Sequence, residues 1–113
     1  MIEIDVKSER GIVTEVSVRG HGEGIRGKDI ICSAVSAVTQ TALSGLLYFG
    51  SEDLTWRRGK GTLYVKVNGD ATEEKQRTFH IILATMILGL KNIAKLYPDR
   101  IIICLDGELK PSI

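Results

Sequence analysis

The amino-acid sequence predicts an α+β fold, a two-layer sandwich in which two helices pack on a mostly antiparallel sheet of about five strands. Three observations support this prediction: two pairs of segments with alternating apolar residues, two long segments with helical periodicity, and a short apolar segment near the end. Along the chain these elements follow the order ββαββαβ. Since the chain has 113 residues, we expect them to form a single domain spanning residues 1–113.

The first two strands are predicted from the alternation of apolar and polar residues. Ile2, Ile4 and Val6 alternate with polar side chains, and the same period returns over residues 12–18. Residues 8–11 have the composition of a turn. Together these segments predict a β-hairpin.

A second hairpin and a closing strand follow later in the sequence. Residues 54–58 and 62–67 flank a Gly-Lys-Gly turn at residues 59–61. Residues 101–105 form a short, continuous apolar segment, which is typical of an interior strand.

The first helix is predicted from about Ile30 to Phe49, with Asp29 at the N-cap. No side chain from residue 30 to residue 50 is charged, so this segment is long enough to cross a membrane. Its internal Ser, Thr and Gln residues and the lack of positive flanks favour a buried helix, and we expect no membrane association. Apolar residues lie on more than one side of this helix. One side can pack on the rest of the domain, and a partner subunit is one candidate to bury another.

The second helix is predicted to begin near Asp70, which with Glu73 resembles a capping box. Apolar residues recur at helical spacing from there to about Leu96, and Pro98 ends the helix.

Composition indicates an ordinary globular protein, with 43% hydrophobic and 26% charged residues. Fifteen basic against fourteen acidic residues give a net charge of +1, so no global field attracts nucleic acid, and we expect no direct binding to it. Two distant cysteines do not make a disulfide scaffold, and the charged N-terminus does not resemble a signal peptide. These features predict a cytoplasmic protein with reduced thiols.

Residues 20–36 carry the candidate chemistry. Glycines at positions 20, 22, 24 and 27 exclude regular structure there, so we expect a flexible loop containing Gly22, Gly24 and Gly27. The spacing of the last three matches a phosphate-binding fingerprint, but the parallel strands that this fingerprint requires are not predicted around it.

A metal site is a second interpretation, because His21 and Cys32 are both possible ligands. No set of four ligands is evident, so we expect no metal and no other cofactor. A purely structural interpretation also exists, since a helical cysteine is usually a small buried hydrophobe and a loop histidine is usually solvated.

A cysteine nucleophile is a further interpretation. With Asp29 as the N-cap, Cys32 is the third residue of the helix, near unpaired backbone N–H groups and the positive end of the helix dipole. Both favour the thiolate, which is the nucleophilic form. His21 lies on a glycine-rich loop that can bring its imidazole to the sulfur as a general base. Ser36 lies one turn further on the same face of the helix, where it can donate to the sulfur or to substrate.

The sequence pattern of residues 20–36 resembles that of a known family. The glycine-histidine loop followed by Asp-x-x-Cys-x-x-x-Ser, together with the length of the chain and the element order, resembles the ribosomal-processing cysteine proteases called Prp. The resemblance implies that His21 and Cys32 are catalytic and that Gly20, Asp29 and Ser36 have supporting or orienting roles.

Two positions depart from the family pattern: Gly22 and Ser33 stand where alanine is common. Neither change removes a reacting group. The change at Gly22 makes the loop more flexible, and Ser33 is expected to point away from the face that carries Cys32.

The resemblance also implies an activity and partners. Members of the family remove an N-terminal extension from a bacterial large-subunit ribosomal protein, number twenty-seven, by cutting after an aromatic pair. The resemblance also implies that the protein forms a homodimer. The main alternative is a non-catalytic dimeric module that binds to the ribosome, and a weaker one is a redox-sensing thiol.

A few other side chains have competing interpretations. Arg19, Arg26 and Lys28 flank the candidate site, where they would favour the thiolate or bind an acidic group, although solvated loop charges are the simpler interpretation. His80 is predicted to be a surface or hydrogen-bonded histidine, and Cys104 a core residue.

Overall fold

The computed structural model describes residues 1–20 and 30–109, and the statements below concern these parts of the chain. They contain six strands, two long helices and a short 3₁₀ turn at Ser51–Asp53. The strands and helices are β1 (Ile2–Glu9), β2 (Ile12–Arg19), α1 (Ile30–Gly50), β3 (Leu54–Gly59), β4 (Thr62–Val67), α2 (Glu73–Leu96), β5 (Ile101–Leu105) and β6 (Glu108–Leu109).

The strands form one sheet in the order β3-β4-β2-β1-β5-β6. Strand β5 pairs with β1 in parallel, and the other neighbours pair antiparallel. The predicted α+β sandwich and its ββαββαβ order are therefore confirmed. Both predicted hairpins and both predicted helices are present, with the first helix ending one residue later than expected.

Strand β6 was not predicted, although the sequence contains a signal for it. Asp106 and Gly107 both have positive φ, 51° and 83°, and connect β5 to β6. Asp-Gly favours this two-residue hairpin turn, because its conformation matches the twist of paired strands. The two residues of β6 are too few to show an alternating pattern, so the turn was the only available indication.

The core lies between the helices and one face of the sheet. Alternate residues of β1 are almost fully buried there, and α2 contributes Phe79, Leu83 and Leu90, each with no exposed side-chain area. Helix α1 buries a stripe that begins at Ile31 and Val35 and continues with Thr39, Ala42, Leu43, Leu46 and Gly50. This stripe determines which side of α1 faces the sheet.

Lys75 of α2 holds the C-terminal end of α1. Its ammonium group donates to the carbonyl oxygen of Phe49 at 3.0 Å and contacts the carboxylates of Glu52 and Asp53 at 3.3 and 3.5 Å. The hydrogen bond to Glu52 is the main cause that raises the pKa of Lys75. The helix is thereby anchored at the end opposite the candidate site.

The predicted start of α2 is wrong. The helix begins at Glu73 with Thr72 as its N-cap, and the Thr72 hydroxyl accepts a hydrogen bond from the backbone N–H of Lys75 at 3.2 Å. Asp70 instead lies in a turn, since the N–H of Ala71 donates to the carbonyl of Asn68 at 3.1 Å. This turn delays the helix, so the expected capping box does not form.

By length and composition alone, both helices are apolar enough to cross a membrane. Each packs its inward stripe against the sheet or the other helix, which accounts for part of this apolar character. Absence of membrane association stays a prediction.

Gly20 occupies a tightly constrained position at the end of β2. Its φ is 98°, a conformation that favours glycine, and a β-carbon there would collide with the carbonyl oxygen of Met1. Its N–H donates to the carbonyl of Gly61 at 3.0 Å. Gly20 therefore links the first residue of the chain to the β3–β4 turn.

Replacing Gly20 by alanine is expected to lower the free energy of unfolding by about 1–3 kcal/mol, because the new side chain combines a strained φ with a clash. Chemical denaturation measures this change. Gly69→Ala is the matched control, since a β-carbon at Gly69 meets no atom within 4 Å. Equal stability of the two variants would contradict the proposed constraint.

Candidate active site

A cleft of about 510 Å³ lies between the first half of α1 and the turn between β3 and β4. Helix α1 contributes one wall, and Gly59, Gly61 and Thr62 contribute part of the other. Gly20 lies at the base of this turn and also lines the cleft. None of the described lining residues is charged, so the cleft suits an uncharged, partly apolar ligand.

Cys32 is the third residue of α1, the position predicted for it. Its side chain is half-buried, packs against the core and also lines the cleft. The first-turn N–H groups of a helix lack partners within the helix, so this position places the sulfur near backbone donors. The side chain of Cys32 is therefore partly packed against the core and still accessible to a ligand in the cleft.

Ser36 follows one turn later and is exposed along the same wall of the cleft. Its predicted alignment with Cys32 is confirmed, as expected for residues four positions apart on a helix. Ser33 is exposed and lines the cleft as well, although adjacent residues of a helix point in different directions and it does not share the face of Cys32. The cleft wraps around the start of the helix, so it contacts more than one face there.

Several predicted site residues lie outside the described residues. These are His21, Asp29 and the loop glycines Gly22, Gly24 and Gly27, together with Arg26 and Lys28. Their predicted roles stay predictions.

Arg19 is not among the described residues that line the cleft. Its guanidinium forms an ion pair with Asp5 at 2.7 Å and lies 3.7 Å from the carboxylate of Glu3. Both partners are on β1, beside the strand that carries Arg19. The positive charge of Arg19 is therefore paired with acidic residues of the neighbouring strand.

Cys104 was predicted to lie in the core, and this prediction is wrong. It pairs in register with Asp5, and cross-strand partners share one face of a sheet, so Cys104 lies on the face opposite the helices. The alternating burial of β5 shows the same arrangement, with Ile101 and Ile103 buried and Cys104 half-buried. Every residue of β5 is apolar, so the sequence did not show that only one face of this strand is covered by the core.

His80 is a hydrogen-bonded histidine, as predicted. Its Nδ1 accepts a hydrogen bond from the backbone N–H of Val13 at 3.0 Å. This bond is far along the sheet from the cleft, since Val13 is the second residue of β2, and Arg19, next to Gly20, is its last. The imidazole of His80 therefore has a structural role.

The sequence interpretation missed Gln40, which lies on the wall of the cleft one turn beyond Ser36. Its side-chain oxygen accepts a hydrogen bond from Arg58 of the edge strand β3 at 2.8 Å. The spacing of Cys32, Ser36 and Gln40 was available in the sequence, but the contact with β3 depends on the tertiary fold.

Within residues 1–20 and 30–109, no group of three His, Cys, Asp or Glu side chains is arranged to bind a metal ion. A need for no metal or cofactor stays a prediction.

Comparisons with known proteins agree on one family. The family model described as cysteine protease Prp matches residues 1–102. The ribosomal processing cysteine protease Prp of Staphylococcus aureus is 30% identical over 105 residues, which cover 89% of this chain and 95% of the relative.

Solved structures show the same relationship. The crystal structure of the S. aureus ribosomal processing protease Prp, in complex with a covalently linked product peptide, matches with a TM-score of 0.80 and 27% identity. The match covers 93% of this chain and 99% of that one. A Streptococcus mutans protein shares the fold, with a TM-score of 0.72, 23% identity and 93% of each chain covered. The chain described here belongs to the Prp family and is a cysteine protease.

Proposed function

We propose that this chain is an endopeptidase that removes the N-terminal extension of a ribosomal protein, with Cys32 as nucleophile and His21 as general base. The observation that carries the proposal is Cys32 in the first turn of α1, open to a cleft without charged lining among the described residues. The substrate class comes from the relative in S. aureus, which is named for ribosomal processing. The resemblance described above narrows it to large-subunit protein number twenty-seven.

In the proposed reaction, the sulfur of Cys32 attacks the carbonyl carbon of the scissile peptide bond. His21 accepts the thiol proton and passes it to the leaving amine, so that the C–N bond breaks and a thioester forms. Water then hydrolyses the thioester and restores the thiol. Backbone N–H groups in the first turn of α1 are suited to stabilise the negative oxygen of each tetrahedral intermediate.

Covalent geometry supports the role of His21. The residue is bonded to Gly20, which lines the cleft that Cys32 also lines. Gly20 thus brings the described chain to the cleft immediately before His21 in the sequence. A side chain at Gly20 would shift the backbone of the residue that precedes His21.

Supporting roles follow from position. Ser36 is placed to donate a hydrogen bond within the cleft, one turn from the sulfur. Asp29 precedes α1, and its proposed role is to cap the helix or to orient His21. The alternative is a non-catalytic binding module, which cleavage of the extension peptide by the wild-type protein would exclude.

We also propose that the protein forms a homodimer through the outer face of its helix layer. Large apolar side chains are exposed there on both helices, with Tyr48 84%, Ile81 64% and Leu88 61% exposed. Residues 81 and 88 are seven positions apart and so share one face of α2. Helix α1 carries no charge, and α2 carries none from residue 81 to residue 88, although Arg77 and Lys95 lie at the two ends of this face. A contiguous apolar surface is typical of subunit interfaces.

We propose a cytoplasmic location for the enzyme, because a ribosomal protein that is processed before or during ribosome assembly is in the cytoplasm. With a net charge of +1, the chain is proposed to bind the peptide extension rather than nucleic acid.

Cys32→Ala is expected to lower cleavage of a peptide spanning the ribosomal extension by about 1,000-fold or more, because the nucleophile is lost. Cys104→Ala, the same exchange on the opposite face of the sheet, is expected to leave the rate unchanged. His21→Gln is expected to reduce the rate strongly, whereas His80→Gln retains an acceptor for Val13 and activity. Mass spectrometry of the products measures each rate. Equal cleavage by the wild type and Cys32→Ala would contradict the proposal.

Leu88→Glu is expected to convert the dimer to a monomer, because it places a charge in the apolar interface. Sedimentation velocity at several protein concentrations measures the molecular mass. Lys60→Glu, in the exposed β3–β4 turn, is the control that also adds a glutamate. A wild-type protein that stays monomeric at all concentrations would exclude the dimer.

A further inference from the structure

Cys32, Ser36 and Gln40 form a row along one wall of the cleft. They lie four residues apart on α1, and all three line the cleft. With a rise of 1.5 Å per residue, Gln40 lies about 12 Å along the helix from Cys32. A ligand that runs along this wall from the sulfur therefore reaches Gln40 after two helical turns.

Arg58 sets the orientation of the Gln40 amide. Its Nη1 donates to the side-chain oxygen of Gln40 at 2.8 Å. A guanidinium has only donors, so the atom that faces it must be the carbonyl oxygen and not the nitrogen. The orientation of the amide, which often has to be assigned from its surroundings, is determined here by this single contact.

The amide nitrogen of Gln40 is left facing away from Arg58. Among the hydrogen bonds within residues 1–20 and 30–109, none uses this nitrogen as a donor. Gln40 is half-buried in the cleft wall, where partial shielding from water makes an added acceptor valuable. A residue of the cleft wall thus has an amide nitrogen with two N–H groups and, within the described residues, no acceptor for them.

We propose that Gln40 is a substrate-binding residue of the protease, whose Nε2 donates a hydrogen bond to a carbonyl oxygen of the bound peptide. This inference rests on the proposed function. An extended peptide rises about 3.3 Å per residue, so the acceptor lies about three or four residues from the scissile bond. Arg58 is a positioning residue, because it keeps the donor side of the amide turned toward the peptide.

Gln40→Glu separates the proposed role from a structural one. Glutamate keeps the size of the side chain and the contact with Arg58, but it has no N–H donor. We expect kcat/KM for the extension peptide to fall about 3- to 10-fold, the value of one hydrogen bond, and Gln40→Leu to show a similar loss. Gln76→Glu is the matched control on α2, where the amide donates to the carbonyl of Ala71 at 2.8 Å, and should keep wild-type kcat/KM. Unchanged kcat/KM in Gln40→Glu would overturn the inference.

A binding measurement keeps this test independent of catalysis. The affinity of the labelled extension peptide for Cys32→Ala is compared with its affinity for Cys32→Ala combined with Gln40→Glu, by fluorescence anisotropy. We expect the second variant to bind about 3- to 10-fold more weakly. Equal affinities would overturn the role of Gln40, whereas failure of the wild type to cleave a bound peptide would refute only the proposed activity.

Modified peptides identify the acceptor. If a peptide side chain accepts the bond, alanine at one position three or four residues from the cleavage site removes the difference between the wild type and Gln40→Glu. If the main chain accepts it, alanine has no such effect, but a thioamide at one position does, because sulfur is a weak acceptor. A difference that survives every replacement would contradict a direct hydrogen bond.

Discussion

The packing of α1 on the sheet is the constraint on which the rest of the site depends. Ile31, Val35 and Thr39 are buried against the core at intervals of four residues. Because an α-helix is rigid, the residues one position later, Cys32, Ser36 and Gln40, must form a parallel row beside them. The same packing that stabilises the domain therefore aligns these three side chains with the cleft.

A polar side chain can lie on the buried face of α1 only if it has a hydrogen-bond partner there. Thr39 is buried within the apolar stripe, and its hydroxyl donates to the carbonyl of Val35 at 2.9 Å. The neighbouring row keeps access to solvent through the cleft, so it accommodates a thiol, a hydroxyl and an amide. The first helix thus has distinct faces for packing, for substrate and, in the proposed dimer, for a second subunit.

Much of the fold follows from local sequence patterns. Alternation in residues 2–18 predicted the first hairpin, and the Gly-Lys-Gly turn at residues 59–61 with its two flanking segments predicted the second. Apolar residues at helical spacing from Ala34 to Phe49 predicted a long packed helix. The position of Cys32 in the first turn followed from the expected start of that helix. These patterns depend on the period of each element, which is why they are visible without a structure.

Other features depend on contacts between distant residues and were missed or misassigned. The pairing of Arg19 with Asp5 requires the register of two strands, and the contact of Arg58 with Gln40 requires the helix to lie over the edge of the sheet. Cys104 looked like a core residue because the sequence of β5 is apolar throughout, but the helices cover only one face of the sheet. Local composition does not determine which face of a strand is covered.

Selective labelling of Cys32 tests the central claim most directly. The folded protein is treated with a chloromethyl ketone derivative of the extension peptide, digested, and analysed by tandem mass spectrometry. We expect one adduct, on Cys32, while Cys104 in the same molecule stays unmodified until the protein is unfolded. Equal modification of both cysteines, or labelling of Cys32 only after unfolding, would contradict it.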